Sequence, residues 1–376
     1  MTAAWRSAPG EAGTVGVEEE YQVLDARTGA LASRGAEVLA RAQRLLAGCA
    51  GAVQGELPLS QVECATSVCT ELADVTEELE ALRRTFATAA DGAGCVIAAS
   101  STPPLGKAAD QATDTTDERY EQLRADAALL VDEQFIAGMH VHVGMADRER
   151  GVAVLDRTRP WLPVLVALSA NSPYWLGTDT GYASYRTVHW GRWPVSGPPP
   201  QFGTAQRYDA LYAQLLGTGA IRDPGHLYWQ ARLSARHPTV EFRAADVLVD
   251  PADAATLAGL HRALAARALA DLDAGLPVPD VSDAVLRAAS WQAARYGMTA
   301  DLVVPGTCER RPAGDVARQL VKHVGAHLAE DADRVGELVQ RMSEGGTGAE
   351  RQRDAYARGG FPAVIELIIT GVHSTG

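Results

Sequence analysis

"TVGVEEEYQVLD", residues 14–25, alternates like a β-strand yet carries three consecutive glutamates. Glutamate is a poor strand former, and neighbouring carboxylates repel one another. Side chains alternate across a strand. Val15, Val17, Glu19, Tyr21 and Val23 therefore share one face, and Gly16, Glu18, Glu20 and Gln22 the other. Glu18 and Glu20 stand together. Glu19 is left among apolar residues or near an edge, where its charge should matter modestly to stability and not at all to a binding face.

The same sorting recurs in three more stretches. In 138–145, Met139, Val141, Val143 and Met145 oppose His140 and His142, with Gly138 and Gly144 beside them. In 239–245, Val240 and Phe242 oppose Glu241 and Arg243, and in 61–65, Val62 and Cys64 oppose Gln61, Glu63 and Ala65. Each alone has an ordinary explanation. A Glu pair suits the solvated face of an antiparallel sheet, and an exposed Glu–Arg pair is worth little. Together they are harder to dismiss, because solvated faces favour Thr, Lys, Ser and Gln rather than Glu, His and Arg. Four such faces, with glycines that leave room for a ligand, describe a lined cavity. Clustered carboxylates with imidazoles suit hard divalent cations such as Mg²⁺ or Mn²⁺, which would offset the repulsion within the triplet. An arginine on the same face calls for an anion, a phosphate or a carboxylate. These are the parts of a phosphoryl-transfer site.

The rest of the chain supplies the scaffold. Helical spacing of apolar residues marks 36–47, 71–91, 117–131 and 148–170, the last with a kink at Pro160 and Pro163. Between the first two, an extended segment turns at Pro58. "CVIAAS" reads as a short buried strand, "HLYWQARLS" and "TVEFRAADVLV" as two more, and nearly everything from 251 on as helix. Residues 171–203 form a long stretch rich in aromatics, Gly and Pro, too aromatic for disorder and too long for a passive connection. No repeat or linker divides the 376 residues. The expectation is a flexible segment 1–13 followed by one α+β domain, 14–372, with an antiparallel sheet backed by helices.

The net charge of −13, without a Lys/Arg-rich run, argues against nucleic-acid and anionic-membrane partners. It leaves small anionic substrates open, since metals and local arginines invert the field of a site. No apolar run approaches the ~20 residues of a membrane span, and the first residues lack a signal pattern, so the expected location is the cytoplasm. The five cysteines contain no CxxC pair, which reads as reduced structural thiols and no cysteine zinc site. There is no P-loop, no His-Glu-x-x-His and no Gly-x-Ser-x-Gly.

Eight stretches, in order, resemble the glutamate–cysteine ligase type 2 family, the bacterial carboxylate–amine ligases of the glutamine-synthetase-like superfamily. They are "TVGVEEEYQVLD", "ELPLSQVECAT", "GMHVHVG", "RPWLPVLVALSANSPYW", "DTGYASYR", "GRWPVSGPPP", "PTVEFRAADV" and "GTGAERQR", spanning residue 14 to about 353. The resemblance implies a curved antiparallel sheet of about six strands whose concave face binds ATP and Mg²⁺ or Mn²⁺. It implies an acyl phosphate made from a carboxylate and ATP, then attacked by an amine. By the same resemblance, Glu18, Glu20, Glu56, Glu63, Glu241 and His140 are metal ligands, Glu56 and Glu63 forming one acidic pair. His140 stands near phosphate and metal, and Arg243 contacts the transferred group. Arg186 and Arg192 hold a substrate carboxylate, with Tyr182 and His142 beside the substrate. The expected partners are small molecules, an amino acid and an amine, and a homodimer is one assembly the resemblance allows.

Two other readings compete. His-x-His on a strand also occurs in metal-dependent hydrolases built as strand–helix barrels, but His261, His323 and His327 fall in helical stretches rather than at strand ends. A catalytically weak nucleotide-binding homologue would have little reason to keep the full set of carboxylates.

Overall fold

A computed structural model describes residues 12–46, 50–55, 59–107 and 118–373. The expected turn at Pro58 and most of the segment 1–13 lie outside the described residues. Seven strands make the main sheet: β1 (Val15–Asp25), β2 (Ala52–Gly55), β3 (Gln61–Ala65), β4 (Cys95–Ala98), β5 (Gly138–Gly144), β6 (Ala231–Leu233) and β7 (Thr239–Asp246). Six of them follow the order β6-β7-β5-β1-β3-β2, and β4 pairs with the end of β1. Every pairing is antiparallel. The order excludes the strand–helix barrel that the hydrolase reading requires.

The opening stretch is thus the central strand. Val15 and Val17 pack with Val141, Val143 and Val240 against apolar residues of the helices Leu72–Asp91 and Pro251–Asp273. Asp250 caps the second of these by accepting from the Ala252 amide, with Pro251 in its first turn. No described helix is long and apolar enough to cross a membrane.

Three expectations need correction. "HLYWQARLS" is not one strand: Tyr228–Trp229 pairs in parallel with Ser196–Gly197, and only Ala231–Leu233 joins the main sheet. The Gln230 amide donates to the Gly197 carbonyl, and the Gln230 carbonyl accepts from the Arg243 amide, so the chain changes partner at that residue. The C-terminal half is not wholly helical, because Asp301–Val303 and Arg310–Pro312 form a hairpin. The third correction is Glu19, which does face the helices but is neither at an edge nor merely among apolar residues. It is fully buried and paired with Arg83 of the helix Leu72–Asp91, itself fully buried. Arg83 Nε and Nη2 donate to the two carboxylate oxygens at 3.0 and 2.5 Å, and the Tyr21 hydroxyl also donates to Glu19. Arg83 also donates to the Leu248 and Val249 carbonyls, at 3.0 and 2.6 Å.

Candidate active site

The register of the sheet brings the polar residues of five strands onto one wall. Glu18 lies opposite His140, Glu20 opposite Glu63, and Glu241 opposite His142 on one side and Arg232 on the other. All of them line a cavity of about 730 Å³ with Arg243, Trp190 and the 223–225 and 234–237 segments. The volume falls in the range of sites for nucleotide-sized ligands. Like charges directly opposite each other destabilise a sheet, so the Glu20–Glu63 pair sets a cost that a bound cation would remove.

The contacts are close. His140 Nδ1 lies 3.1 Å from Glu18 and Nε2 3.7 Å from Glu20, while His142 Nε2 lies 3.3 Å from the other Glu18 oxygen. The Gly138 amide donates to Glu20 at 2.6 Å. Arg232 donates to both oxygens of Glu241, at 2.9 and 3.1 Å, and Arg243 donates to the same carboxylate. Burial opposes charge on Glu18, but hydrogen bonds from His140 and His142 pull its carboxyl far below the ordinary range. Burial likewise opposes charge on Glu241, and Arg232 and Arg243 overcome it. Burial, then the Arg243 charge, lowers the His140 pKa, which keeps the imidazole neutral. Burial also works against a charged His142, but its hydrogen bond to Glu18 prevails and raises its pKa.

Ligand atoms of Glu18, His140 and Glu241 all lie within 4.8 Å of one another. Two carboxylates and a neutral imidazole fit a hard divalent cation, and His140 Nε2 is buried without a hydrogen-bond partner. The residues present therefore fit such an ion, which would share Glu241 with two guanidinium groups. Glu20 and Glu63 stand beside this trio. Glu56 lies outside the described residues.

The two loop arginines are separated from this wall. Arg186 sits on the short helix Tyr185–Trp190, and its terminal nitrogens donate to the Arg243 carbonyl at 3.2 Å each. A Cβ at Gly138 would lie 2.2 Å from Arg186 Nη2, so this glycine makes room for a side chain of the protein rather than for a ligand. Arg192 pairs with Glu133 at 2.5 Å and reaches His189. Burial and then Arg192 bring the His189 pKa down to about 3. Both arginines line a second cavity of about 280 Å³ that shares Arg243 and Trp190 with the first. Tyr182 lines neither cavity. Its hydroxyl accepts from Trp291, and its ring lies under Arg295.

Three contributors escaped sequence reasoning. Arg232 was legible in principle, since it lies on a strand opposite Glu241, but the break at Gln230 hid its phase. Trp190, whose indole lies 5.5 Å from the Arg186 guanidinium and 5.7 Å from that of Arg243, looked like one of many loop aromatics. Arg287 comes from the distant helix Asp283–Tyr296, and no local pattern announces it.

The chain shares its fold with the glutamate–cysteine ligase of Francisella tularensis, solved in complex with AMP. The TM-score is 0.70 at 13% identity, over 96% of this chain and 88% of that one. A bifunctional glutathione synthetase from Pasteurella multocida superposes with a TM-score of 0.63 at 16% identity, over 96% of this chain and 51% of the other. Among sequence relatives, "Putative glutamate--cysteine ligase 2" of Streptomyces coelicolor is 43% identical over 364 residues, 96% of this chain and 99% of its own length. A protein of the same name from Rhodopirellula baltica is 41% identical over 345 residues, 90% of this chain and 92% of its own. The sequence model of glutamate–cysteine ligase family 2 matches residues 14–366, and the chain belongs to that family.

Proposed function

We propose that this ligase joins the side-chain carboxylate of glutamate, or of a similar amino acid, to an amine at the expense of ATP. The observation that carries the reading is the convergence of Glu18, Glu20, Glu63 and Glu241 with His140 and Arg243 on one wall of a nucleotide-sized cavity. Mg²⁺ or Mn²⁺ held by these carboxylates would supply charge neutralisation of the ATP phosphates. Arg243, charged and largely enclosed, directs its guanidinium to the same place and stabilises charge as it develops on the transferred phosphoryl group. Neutral His140 offers a lone pair there without adding positive charge.

The chemistry takes two displacements. A substrate carboxylate oxygen attacks the γ-phosphorus, and ADP leaves with the electron pair of the broken P–O bond. The amine nitrogen then attacks the acyl carbon, phosphate leaves with the C–O electron pair, and the nitrogen gives up a proton. No covalent enzyme intermediate is needed. The thiols agree with that: Cys64, Cys69 and Cys95 are buried, burial raises the pKa of each, and none lines either cavity. The test is ADP release with Mg²⁺ over a matrix of amino acids and amines. Release that depends on both a carboxylate and an amine supports the ligase, and release that ignores the amine refutes it.

A further inference from the structure

We infer that Asp246 is a positioning residue for phosphoryl transfer: it ties Arg186 and the short helix Tyr185–Trp190 to strand β7, and through them sets the aim of Arg243. The inference rests on the ligase reading for what Arg243 does, and on separate observations for what holds it.

Asp246 reaches its place through an irregularity in the sheet. Phe242 pairs with Val141 and Ala245 with Met139, so Arg243 and Ala244 together oppose the single residue His140. Two residues against one make a β-bulge, a device that re-aims side chains. Counting by twos from Glu241 and Arg243 sends Ala245 to the cavity face and Asp246 to the helices. The extra residue reverses that. Ala245 joins Met139 in the core, and Asp246 lies opposite Gly138 on the cavity side. Asp246 is fully buried. Its Oδ2 accepts from the Asn171 amide at 2.8 Å and the Ser172 hydroxyl at 2.7 Å, and its Oδ1 from the Ser184 hydroxyl at 2.9 Å. Ser184 caps the helix Tyr185–Trp190, and Ser172 Oγ accepts in turn from the Arg186 amide at 3.1 Å. Three donors on one carboxylate favour its charged form. Burial pushes the Asp246 pKa up, and Arg186 is the foremost influence against that; burial pushes the Arg186 pKa down, and Asp246 is the foremost influence against that.

The chain of contacts ends at Arg243. Because Gly138 has no side chain, the Arg186 guanidinium occupies the place a Cβ would take. From there both terminal nitrogens donate to the Arg243 carbonyl, the backbone group at the bulge itself. The Arg243 guanidinium donates to Glu241, lies 3.5 Å from His140 Nδ1 and keeps an Nε without a partner. Trp190, the last residue of the same short helix, lies beside both guanidinium groups. A bulge disrupts the ladder locally and leaves a residue unpaired, so its orientation depends on what else holds it. Here the holders are a buried carboxylate on one side and a buried guanidinium on the other. A misplacement of about 1 Å at a reacting group costs on the order of 10²-fold in rate, which is the leverage Asp246 has on the reaction without touching it.

The test is a double-mutant cycle. Asp246→Asn keeps the shape of the side chain and turns an NH₂ towards the donors around it. Gly138→Ala keeps the backbone amide and displaces Arg186 from the opposite side. Each is made alone and together with Arg243→Ala, and kcat and the ATP KM are read from ADP release. The expected result for Asp246→Asn is a fall in kcat of about tenfold or more with the ATP KM within about twofold. Once Arg243 is already Ala, the same substitution should lower kcat by less than about threefold. A residue with a merely structural role lowers kcat by the same factor in both backgrounds, and that result overturns the inference. An unchanged kcat beside native Arg243 overturns it too. If Asp246→Asn does not fold, Gly138→Ala carries the cycle with the same two outcomes. If wild type releases no ADP with any amino acid and amine, the ligase reading fails, and crystal structures of wild type and Gly138→Ala decide the positioning role. An Arg243 guanidinium that shifts with Arg186 supports it, and one that stays in place overturns it.

Discussion

Replacing Glu19 by Gln keeps the size of the side chain and removes its charge from a pair in which both partners are 0–1% exposed. Arg83 loses the carboxylate that receives Nε and Nη2, and one of those donors then faces the amide NH₂. The Leu248 and Val249 carbonyls that Arg83 also reaches are dipoles and do not replace the lost charge. Breaking a buried ion pair from one side costs about 3–5 kcal/mol. A typical domain has roughly 5–15 kcal/mol in total, so a single oxygen-to-nitrogen change should remove about a fifth of it or more. The assay is equilibrium urea unfolding, where the midpoint should fall with an unchanged slope. The double variant Glu19→Met/Arg83→Met removes both charges and should recover most of the loss. kcat per folded molecule should hardly change, because Glu19 faces the helices and not the cavity. A loss below about 1 kcal/mol, the level of an exposed pair, would refute the reasoning.

Glu63→Gln should stabilise the metal-free protein by about 0.2–1 kcal/mol by relieving its opposition to Glu20, while thermal melts with and without Mg²⁺ show a smaller stabilisation by the ion than in wild type. Glu18→Gln should leave the fold intact and cut Mg²⁺-dependent turnover by about 10²-fold or more; equal turnover at limiting Mg²⁺ would remove it from the metal site. Arg243→Ala should lower kcat by about 10²–10³-fold with little effect on the ATP KM, and a change confined to an amino-acid KM would reassign it. His261, buried on the helix Pro251–Asp273, has its pKa brought down to about 4 by burial. Its folded pKa lies below the unfolded value near 6.5, so its contribution is complete above that value and is lost as pH falls towards 4. Between pH 7 and 5 this should cost about 2 kcal/mol, and His261→Phe should flatten that part of the urea-midpoint profile.

The polar wall was legible because strand alternation is a local rule. Once Glu18, His140, Glu63 and Glu241 were phased within their own strands, antiparallel pairing brought them together. What stayed hidden depends on distant partners. Glu19 followed the alternation rule, but nothing in 14–25 announces a guanidinium arriving from residue 83. Gln230 carries no sign that its backbone serves Gly197 on one side and Arg243 on the other, which is why a broken strand read as a continuous one. Arg287 lies on a helix whose own periodicity accounts for every residue without a ligand. Tyr182 shows the converse: a motif residue in an aromatic loop whose hydroxyl is taken by Trp291.

The central strand is also the first of the seven sheet strands to be synthesised. Its partners begin 36 (β3), 70 (β4) and 113 (β5) residues after β1 ends, at Gln61, Cys95 and Gly138 against Asp25, and beyond β5 lies β7, which ends at Asp246. During synthesis, at roughly 5–20 residues per second, β1 must wait many seconds with both edges open. An unpaired strand of valines and tyrosine invites edge-to-edge association between nascent chains. Three adjacent carboxylates make such self-pairing repulsive, since two copies of the strand in register would oppose six negative charges. A triplet that places two carboxylates on the cavity wall and one against Arg83 has the character of a gatekeeper during translation as well, and neutralising all three should show first as aggregation of newly made protein.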